Sequence, residues 1–129
     1  MWDYSVATDV LGRVLEVIHG KDLDAVLYER ISKPLRLNDT GFSVQPVNHA
    51  RIAEPFFDNT GRRVYGRDIA TPPKRFGGGG GMVSSAADYV RFCQMLLNGG
   101  ALDGVRLVSR KTVALMTANH LDRKSTRLN

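Results

Sequence analysis

Hydrophobic residues in the first part of the chain recur at helical spacing. Val10, Leu11, Val14, Leu15 and Ile18 repeat with a period of three to four residues, which is typical of one face of an α-helix. Gly20 follows this stripe, and glycine commonly ends a helix. The pattern therefore predicts an amphipathic helix that stops at Gly20.

A second apolar stripe follows directly. Its residues define the inward face of another predicted helix: Leu23, Val26, Leu27 and Ile31. Asp22 is placed to cap the first turn. Pro34 disfavours helical backbone at the residue before it, so this helix is expected to end there. The next segment, Asn38-Asp39-Thr40-Gly41, is typical of a turn.

The period of the pattern changes over residues 47–65. Two short strands are predicted, at residues 51–57 and 62–65, on either side of a turn that contains Gly61. Pro55 would confine this hairpin to a sheet edge, because proline cannot donate a hydrogen bond to a neighbouring strand. Residues 68–75 hold two prolines and predict a loop.

Five consecutive glycines, residues 77–81, precede a strong helical pattern. Ser85 and Asp88 stand in the positions of a capping box, with Asp in place of the usual Glu or Gln. Asn98-Gly99-Gly100 ends this helix, and a last helix is predicted from Ser109 to about His120. The apolar face of the longer helix is expected to consist of Tyr89, Phe92, Cys93, Leu96 and Leu97.

Composition narrows the class of protein. The 129 residues suffice for one modest domain, and 43% of them are hydrophobic. Four predicted helices and one hairpin make the fold class α-rich α+β. No apolar run approaches the ~20 residues that span a bilayer, so no transmembrane segment is expected. A single cysteine, Cys93, excludes an intrachain disulfide and a cysteine-based zinc site, and no cofactor is expected.

The last eight residues, 122–129, match one reading frame of a common sequencing adapter, GAT CGG AAG AGC ACA CGT CTG AAC. We therefore treat them as a non-native tail and exclude them from fold prediction. Because the tail carries three basic residues and one acidic residue, the net charge falls from +5 to +3 without it. The remaining basic residues are scattered rather than clustered with aromatics, and no nucleic-acid partner is expected.

Tyr4 is the candidate catalytic residue, because the segments around it form a recognisable order. These segments are Tyr4-Ser5, the helix with Val10-Leu11-Gly12, Pro34-Leu35 and Asp39-Thr40-Gly41-Phe42. The order resembles the region around the catalytic tyrosine of the serine β-lactamase-related hydrolases, which include class C β-lactamases, DD-peptidases and related esterases. The resemblance covers residues 2–121. It implies a β-lactamase/penicillin-binding-protein-like fold, of which residues 1–121 are an incomplete domain, mostly from its helical region.

The resemblance implies that Tyr4 acts as a general base and acid. A phenol titrates near pH 10 in water, and neighbouring lysine ammonium groups lower its pKa by favouring the anion. The phenolate can take the proton of a nucleophilic serine and return it to the leaving group. The alternative is a structural tyrosine that packs beside Trp2 near the helix start.

The serine and lysine of this family form a first motif, S-x-x-K, which is absent from the sequence. The resemblance implies that this motif lies roughly a hundred residues upstream of Tyr4. Without a residue that can form the acyl-enzyme, the chain alone is predicted to be inactive.

Two positions depart from the family pattern. Val6 stands where penicillin-recognising members carry the Asn of Tyr-x-Asn, and its side chain can neither donate nor accept a hydrogen bond. The loss of that amide favours an esterase over a β-lactamase or peptidase. The usual Pro-Leu-Gly-Met is altered to Pro34-Leu35-Arg36-Leu37, which we interpret as a local packing change.

Other candidate motifs fail on spacing or context. The glycine run lacks the G-x-G-x-x-G and Walker patterns, so we interpret it as structural, near the edge of the active site. Lys111-Thr112 begins like the third family motif, Lys-Thr-Gly, but Val113 follows and the pair falls in a helical pattern. The histidines have no partner at metal spacing and are expected at the surface or at helix ends: His19, His49 and His120.

Three functions are compatible with these observations. The leading hypothesis is part of a serine hydrolase that forms an acyl-enzyme, most similar to esterases that act on short acyl esters, with a small-molecule ester or amide as substrate. A β-lactamase or DD-peptidase of the same fold is the first alternative. A non-catalytic helical binding module that uses Trp2 and Tyr4 is the alternative from another class. The sequence leaves the compartment and the oligomeric state open.

Overall fold

The computed structural model describes residues 5–53, 57, 59–61 and 68–120. Within these ranges the α-helices are α1 (Ala7–His19), α2 (Leu23–Leu27), α3 (Lys33–Leu35), α4 (Ala86–Leu97) and α5 (Arg110–Met116). A π-helical segment (Tyr28–Ser32) joins α2 to α3, and a 3-10 helix spans Pro46–Arg51. The strands β1 (Ala101–Leu102) and β2 (Val105–Arg106) pair antiparallel. This arrangement confirms the α-rich α+β class.

Helix α1 ends where the sequence indicates. Gly20 adopts a left-handed backbone (φ +62°) and donates its N–H to the carbonyl of Glu16. Most of the apolar stripe of α1 is exposed in the described structure, with Val14 44% and Ile18 71% accessible. The residue of α1 that is buried is Gly12.

The prediction that Pro34 ends the second helix is wrong. Lys33 keeps helical backbone (φ −62°, ψ −50°), and Pro34 lies inside α3. The preceding π-helical segment explains this, since the N–H of Lys33 donates to the carbonyl of Tyr28, five residues back. A π-turn opens the helix by one residue, which relieves the clash between a proline ring and the carbonyl of the preceding turn.

This helical run ends instead at Arg36, which is left-handed (φ +55°). The N–H of Leu37 donates to Ser32 at 2.8 Å, and the N–H of Arg36 donates to Lys33 at 3.2 Å. These two bonds form a Schellman motif, whose left-handed position usually holds glycine. Of the two altered residues, Arg36 therefore occupies a backbone position that usually holds glycine, whereas Leu37 is buried and occupies a packing position.

Asp22 precedes α2 as expected, but its side chain makes no capping hydrogen bond. The carboxylate of Glu16 accepts the N–H of Leu23 at 3.0 Å instead. The caps of the later helices are as expected. Ser85 accepts the N–H of Asp88 at 3.3 Å, and Ser109 accepts the N–H of Thr112 at 3.0 Å.

The core cluster lies where α3 meets α4. Leu35, Leu37 and Met95 are buried together, with half-buried neighbours from the π-helical segment, α4, β1 and the residues after β2: Ile31, Phe92, Leu96, Leu102, Leu107 and Val108. The predicted face of α4 is therefore partly wrong, because Tyr89 is 64% and Leu97 81% exposed. The helix turns Met95 and Asp88 inward instead.

The β1–β2 hairpin was not expected, although the sequence carries its signal. Asp103 (φ +49°) and Gly104 (φ +79°) form the two-residue turn between Leu102 and Val105. Asp-Gly between apolar residues is a strong hairpin signal, because both turn positions need a positive φ. The hairpin predicted over residues 51–65 lies mostly outside the described residues. In its described part, residues 59–61 form a turn with Gly61 at φ +74°.

None of the helices described in residues 5–120 combines the length and apolarity needed to cross a membrane. Tyr4 and the tail at residues 122–129 lie outside the described residues.

Candidate functional site

The five glycines form a loop, residues 77–81, whose two ends are held by neighbouring residues. We refer to it as the glycine loop. On one side the ring of Phe76 packs edge-on against Phe42, with centroids 5.0 Å apart at 61°. On the other side Val83 and Gly41 exchange backbone hydrogen bonds of 3.1 and 2.7 Å. The Gly41-Phe42 pair therefore fixes where the loop leaves and rejoins the fold.

The middle of the glycine loop rests on the first half of α1. A Cβ on Gly12 would lie only 3.0 Å from the Cα of Gly78, and a Cβ on Gly78 would overlap the carbonyl oxygen of Thr8. Such distances are far inside van der Waals contact. Two facing glycines thus let the loop backbone touch the helix backbone.

Asp9 adds a polar bond to this contact. Its Oδ1 accepts the N–H of Gly79 at 3.1 Å. Asp9 belongs to the first turn of α1, where the helix dipole favours a carboxylate. The start of α1 therefore holds the loop by close packing and by one hydrogen bond to a carboxylate.

Asp88 anchors the segment that holds the loop ends. This α4 side chain is 6% exposed, and its Oδ2 accepts the N–H of Asp39 at 2.7 Å and the hydroxyl of Thr40 at 2.8 Å. The hydroxyls of Thr40 and Ser84 lie 2.8 Å apart. The turn before Gly41 is thus joined to the start of α4 by several hydrogen bonds.

The carboxylate of Asp39 points the other way, toward the 3-10 helix. The guanidinium of Arg51 donates to both of its oxygens, at 3.0 and 2.7 Å, and Asn48 donates at 3.1 Å. The hydrogen bond from Arg51 holds the pKa of Asp39 below its ordinary value, and the positive charge of Arg51 acts in the same direction. This pair keeps a carboxylate ionised at the edge of an open cleft.

That cleft has a volume of about 1020 Å³ and is lined by residues from α2 to the 3-10 helix and by residues 82–86. A second, smaller depression of about 410 Å³ lies between α1, α2 and the glycine loop. Leu11, Leu15 and Met82 are among the residues that line it. The described residues therefore offer a largely apolar surface beside a polar, hydrogen-bonded turn.

Comparison with known proteins assigns this architecture to a family. Residues 1–127 match the family described as Beta-lactamase. The chain belongs to this family. The resemblance identified in the sequence, to serine β-lactamase-related hydrolases, is thereby confirmed.

Three relatives illustrate the range of the Beta-lactamase family. Protein Rv1367c of Mycobacterium tuberculosis is 38% identical over 122 residues, which cover 92% of this chain and 30% of that protein. Penicillin-binding protein 4 of Amycolatopsis lactamdurans is 32% identical, over 83% of this chain and 29% of the relative. Esterase EstB of Burkholderia gladioli is 35% identical, over 70% of this chain and 28% of the relative. The chain spans about 30% of the length of these relatives.

The fold agrees with that of a solved protein structure. Simvastatin synthase LovD from Aspergillus terreus, in a mutant form, superposes with a TM-score of 0.77 at 29% identity. The match covers 96% of this chain and 32% of that one. The α-rich segment is thus a part of the β-lactamase-like fold.

The structure places some of the expected site residues and not others. Tyr4 lies outside the described residues, three positions before α1 begins. Val6, at the position of the family's asparagine, immediately precedes α1 and is 69% exposed. Lys111 and Thr112 lie on α5, which confirms the helical position predicted for this pair.

The histidines take the roles expected of them. His19, His49 and His120 lie within hydrogen-bond distance of the carbonyls of Leu15, Val44 and Leu115, respectively. Among the described residues, no three His, Cys, Asp or Glu side chains are grouped to hold a metal ion.

Sequence reasoning missed the partners of the glycine loop. It placed the glycines near the site edge, but it did not connect them to Gly12 or to Asp9. Gly12 inside an otherwise regular helix was the available signal, because a glycine there costs stability unless close packing requires it.

Proposed function

We propose that this chain is part of a serine hydrolase that forms an acyl-enzyme, and that its substrates are short acyl esters. Tyr4 acts in this proposal as the general base and acid of the second family motif. The observation that carries the proposal is the combination of Tyr4 with Val6 directly before α1 in a member of the Beta-lactamase family. The similarity to esterase EstB supports the same choice.

The chemistry assigned to Tyr4 is proton transfer. The phenolate takes the proton of the nucleophilic serine as the serine oxygen bonds to the ester carbonyl carbon. The phenol then gives this proton to the departing alkoxide, which leaves as an alcohol. In the second half the phenolate takes a proton from water as the water oxygen bonds to the acyl carbon. The phenol returns this proton to the serine oxygen as the acyl–serine bond breaks, which frees the acid and restores the serine.

Val6 supports esters over amides. An asparagine at this position would bind the acylamide group that penicillins and peptides carry, and an exposed valine offers no hydrogen bond in its place. Esters of simple acids have no such group to bind, so they lose nothing. A β-lactamase or peptidase is the second candidate, and the similarity to a penicillin-binding protein favours it.

The proposal is tested on the complete protein, expressed from its full gene. We expect rapid hydrolysis of p-nitrophenyl acetate and slow or no hydrolysis of nitrocefin. Tyr4→Phe should lower kcat by about 10²- to 10⁴-fold, the usual contribution of a general base. Tyr89→Phe, which alters an exposed tyrosine of α4, is the matched control and should leave kcat unchanged.

Two results would contradict the proposal in different ways. Fast nitrocefin turnover without ester hydrolysis would favour the β-lactamase or peptidase alternative. Full turnover by the Tyr4→Phe variant would remove Tyr4 from the mechanism while leaving the family assignment intact.

A further inference from the structure

The glycine loop packs against the helix turn that follows the proposed base. Its contact is with Thr8 and Asp9, four and five residues after Tyr4. Four residues of chain span at most about 14 Å, so the contact with Thr8 lies within that distance of the proposed base. The loop is therefore in a position to form a wall of the substrate site.

A loop of five glycines needs anchors in order to serve as a wall. Glycine has more backbone freedom than any other residue, so the free loop would sample many conformations. Phe42 and Gly41 fix its two ends. Between those ends, the N–H of Gly79 is fixed by the carboxylate of Asp9.

We propose that Asp9 is a positioning residue, which holds the glycine loop against the first turn of α1 so that the loop shapes the site for the acyl chain. The inference rests on the proposed esterase function. In this role Asp9 acts through the loop, by its bond to the N–H of Gly79, and takes no part in proton transfer. Its bond to Gly79 is made by an exposed carboxylate, so it contributes little to the hydrophobic core.

Hydrogen bonds to a carboxylate are stronger than those between neutral groups. The amide oxygen of asparagine can still accept the N–H of Gly79, but alanine cannot. The pair Asp9→Asn and Asp9→Ala therefore separates the hydrogen bond from the charge. Asp22→Ala is the matched control, because Asp22 is exposed and its side chain makes no capping bond.

The variants are compared in the complete protein by KM and kcat for p-nitrophenyl acetate, butyrate and octanoate. Active sites are counted with a fluorophosphonate, so that misfolded protein does not enter the rates. In Asp9→Ala we expect KM to rise about tenfold, the size expected for one lost hydrogen bond to a charged group, with kcat per active site nearly constant. The differences in KM among the acetate, butyrate and octanoate esters should become smaller. Asp9→Asn should stay within about threefold of the wild type, and Asp22→Ala should match it.

A second variant pushes the Asp9 carboxylate away from Gly79 without altering a charge. A Cβ on Gly79 would lie 2.9 Å from the hydroxyl oxygen of Thr8 and 3.1 Å from the carboxylate of Asp9. Gly79→Ala should therefore reproduce the raised KM and the flattened chain-length profile of Asp9→Ala.

A purely structural Asp9 would give another result. Activity in both variants would then fall only in proportion to the number of active sites counted with the fluorophosphonate. KM and the chain-length preference would be unchanged, and the inference would be wrong. If the wild type hydrolyses nitrocefin and not esters, the esterase proposal fails, but KM for nitrocefin still tests Asp9. A wild type that turns over neither esters nor nitrocefin would contradict both the esterase proposal and the inference about Asp9.

Discussion

Gly12 of α1 and Gly78 of the glycine loop meet backbone to backbone, with no side chain between them. A Cβ on Gly12 would stand 3.0 Å from the Cα of Gly78 and 3.0 Å from a methyl carbon of Leu23. The helix, the loop and the buried start of α2 therefore share one contact point. This contact sets the distance between the loop and the helix turn that follows Tyr4.

Alanine at Gly78 should destabilise the complete protein. Its Cβ would overlap the carbonyl oxygen of Thr8, a backbone atom that can move only with α1. Overpacking of this kind costs about 1–3 kcal/mol. The matched control is Gly80→Ala, because a Cβ there meets nothing within 4 Å and Gly80 has no positive φ. Urea unfolding of both variants measures the difference, and equal losses would contradict the packing described above.

Removal of the Asp88 carboxylate should release the turn at residues 39–42. Asp88→Ala leaves the N–H of Asp39 and the hydroxyl of Thr40 without their buried acceptor. The hydroxyl of Thr40 keeps Ser84 as a partner, so one group, the N–H of Asp39, loses its acceptor. We therefore expect a loss of about 1–3 kcal/mol in the free energy of unfolding. Asp88→Asn keeps an acceptor oxygen and should lose less. A smaller loss in the alanine variant than in the asparagine variant would be inconsistent with this network.

Glycine at position 36 should stabilise the protein. Arg36 holds a left-handed backbone, which costs a residue with a Cβ about 1–2 kcal/mol. Part of this gain is offset by the greater freedom of glycine in the unfolded chain, which leaves about 0.5–1 kcal/mol. Thermal unfolding of Arg36→Gly should show a higher Tm.

Asp103→Gly is the contrasting variant for this test. Asp103 is also left-handed, but aspartate tolerates that region better and its carboxylate pairs with Arg91 at 2.6 Å. We expect no gain there. A rise in Tm in both variants alike would show that the Arg91 pair contributes nothing.

The pairing of Asp39 with Arg51 should make stability depend on pH in the acidic range. Because Arg51 lowers the folded-state pKa of Asp39, the pair stabilises the protein at pH values above the unfolded-state pKa, about 3.9. This contribution is lost as the pH falls through the lower, folded-state pKa. The difference in Tm between wild type and Arg51→Met should thus be largest near neutral pH and should shrink below about pH 4.

Added salt should also reduce the difference in Tm between wild type and Arg51→Met, since the Arg51 side chain is largely exposed and its charge is screened. Lys111→Met, which removes an exposed cation of α5, serves as the control. A difference between wild type and Arg51→Met that stays constant down to pH 2.5 would argue against the pair.

The 129-residue chain by itself should not react with a fluorophosphonate. The family nucleophile stands in an S-x-x-K motif, and no serine of this sequence has a lysine three residues later. Gel fluorescence after incubation with a labelled fluorophosphonate measures the reaction, and the complete protein serves as the positive control. A labelled band from the isolated chain would show that one of its own serines is nucleophilic.

Much of this fold could be predicted from the sequence because local chemistry determines it. Gly20 ends α1, and Ser85 and Ser109 cap α4 and α5, since each of these roles depends on residues within one turn. Pro34 misled the prediction because the neighbouring π-turn, which admits the ring, has no recognisable pattern. The face of α4 was misjudged because Asp88 is polar and yet buried, and its two donors come from a distant turn.

The candidate site was less accessible to prediction. Tyr4 and Val6 were singled out by local order; Tyr4 lies outside the described residues, and its role stays a prediction. The glycine loop could be seen in the sequence, but its partners could not. Gly12, Asp9 and Gly41 lie far from it along the chain, and spacing in one sequence does not indicate which distant segments meet.

The bonds between Gly41 and Val83 also bear on the order of folding. They join two distant segments, whereas α1 to α3 are built from near neighbours in the chain. Contacts between distant segments pay the entropy of closing a long loop before they gain any energy, so they tend to form slowly. The helices are therefore expected to be in place before the glycine loop docks on α1, and the docked loop would be the last part of this region to take shape.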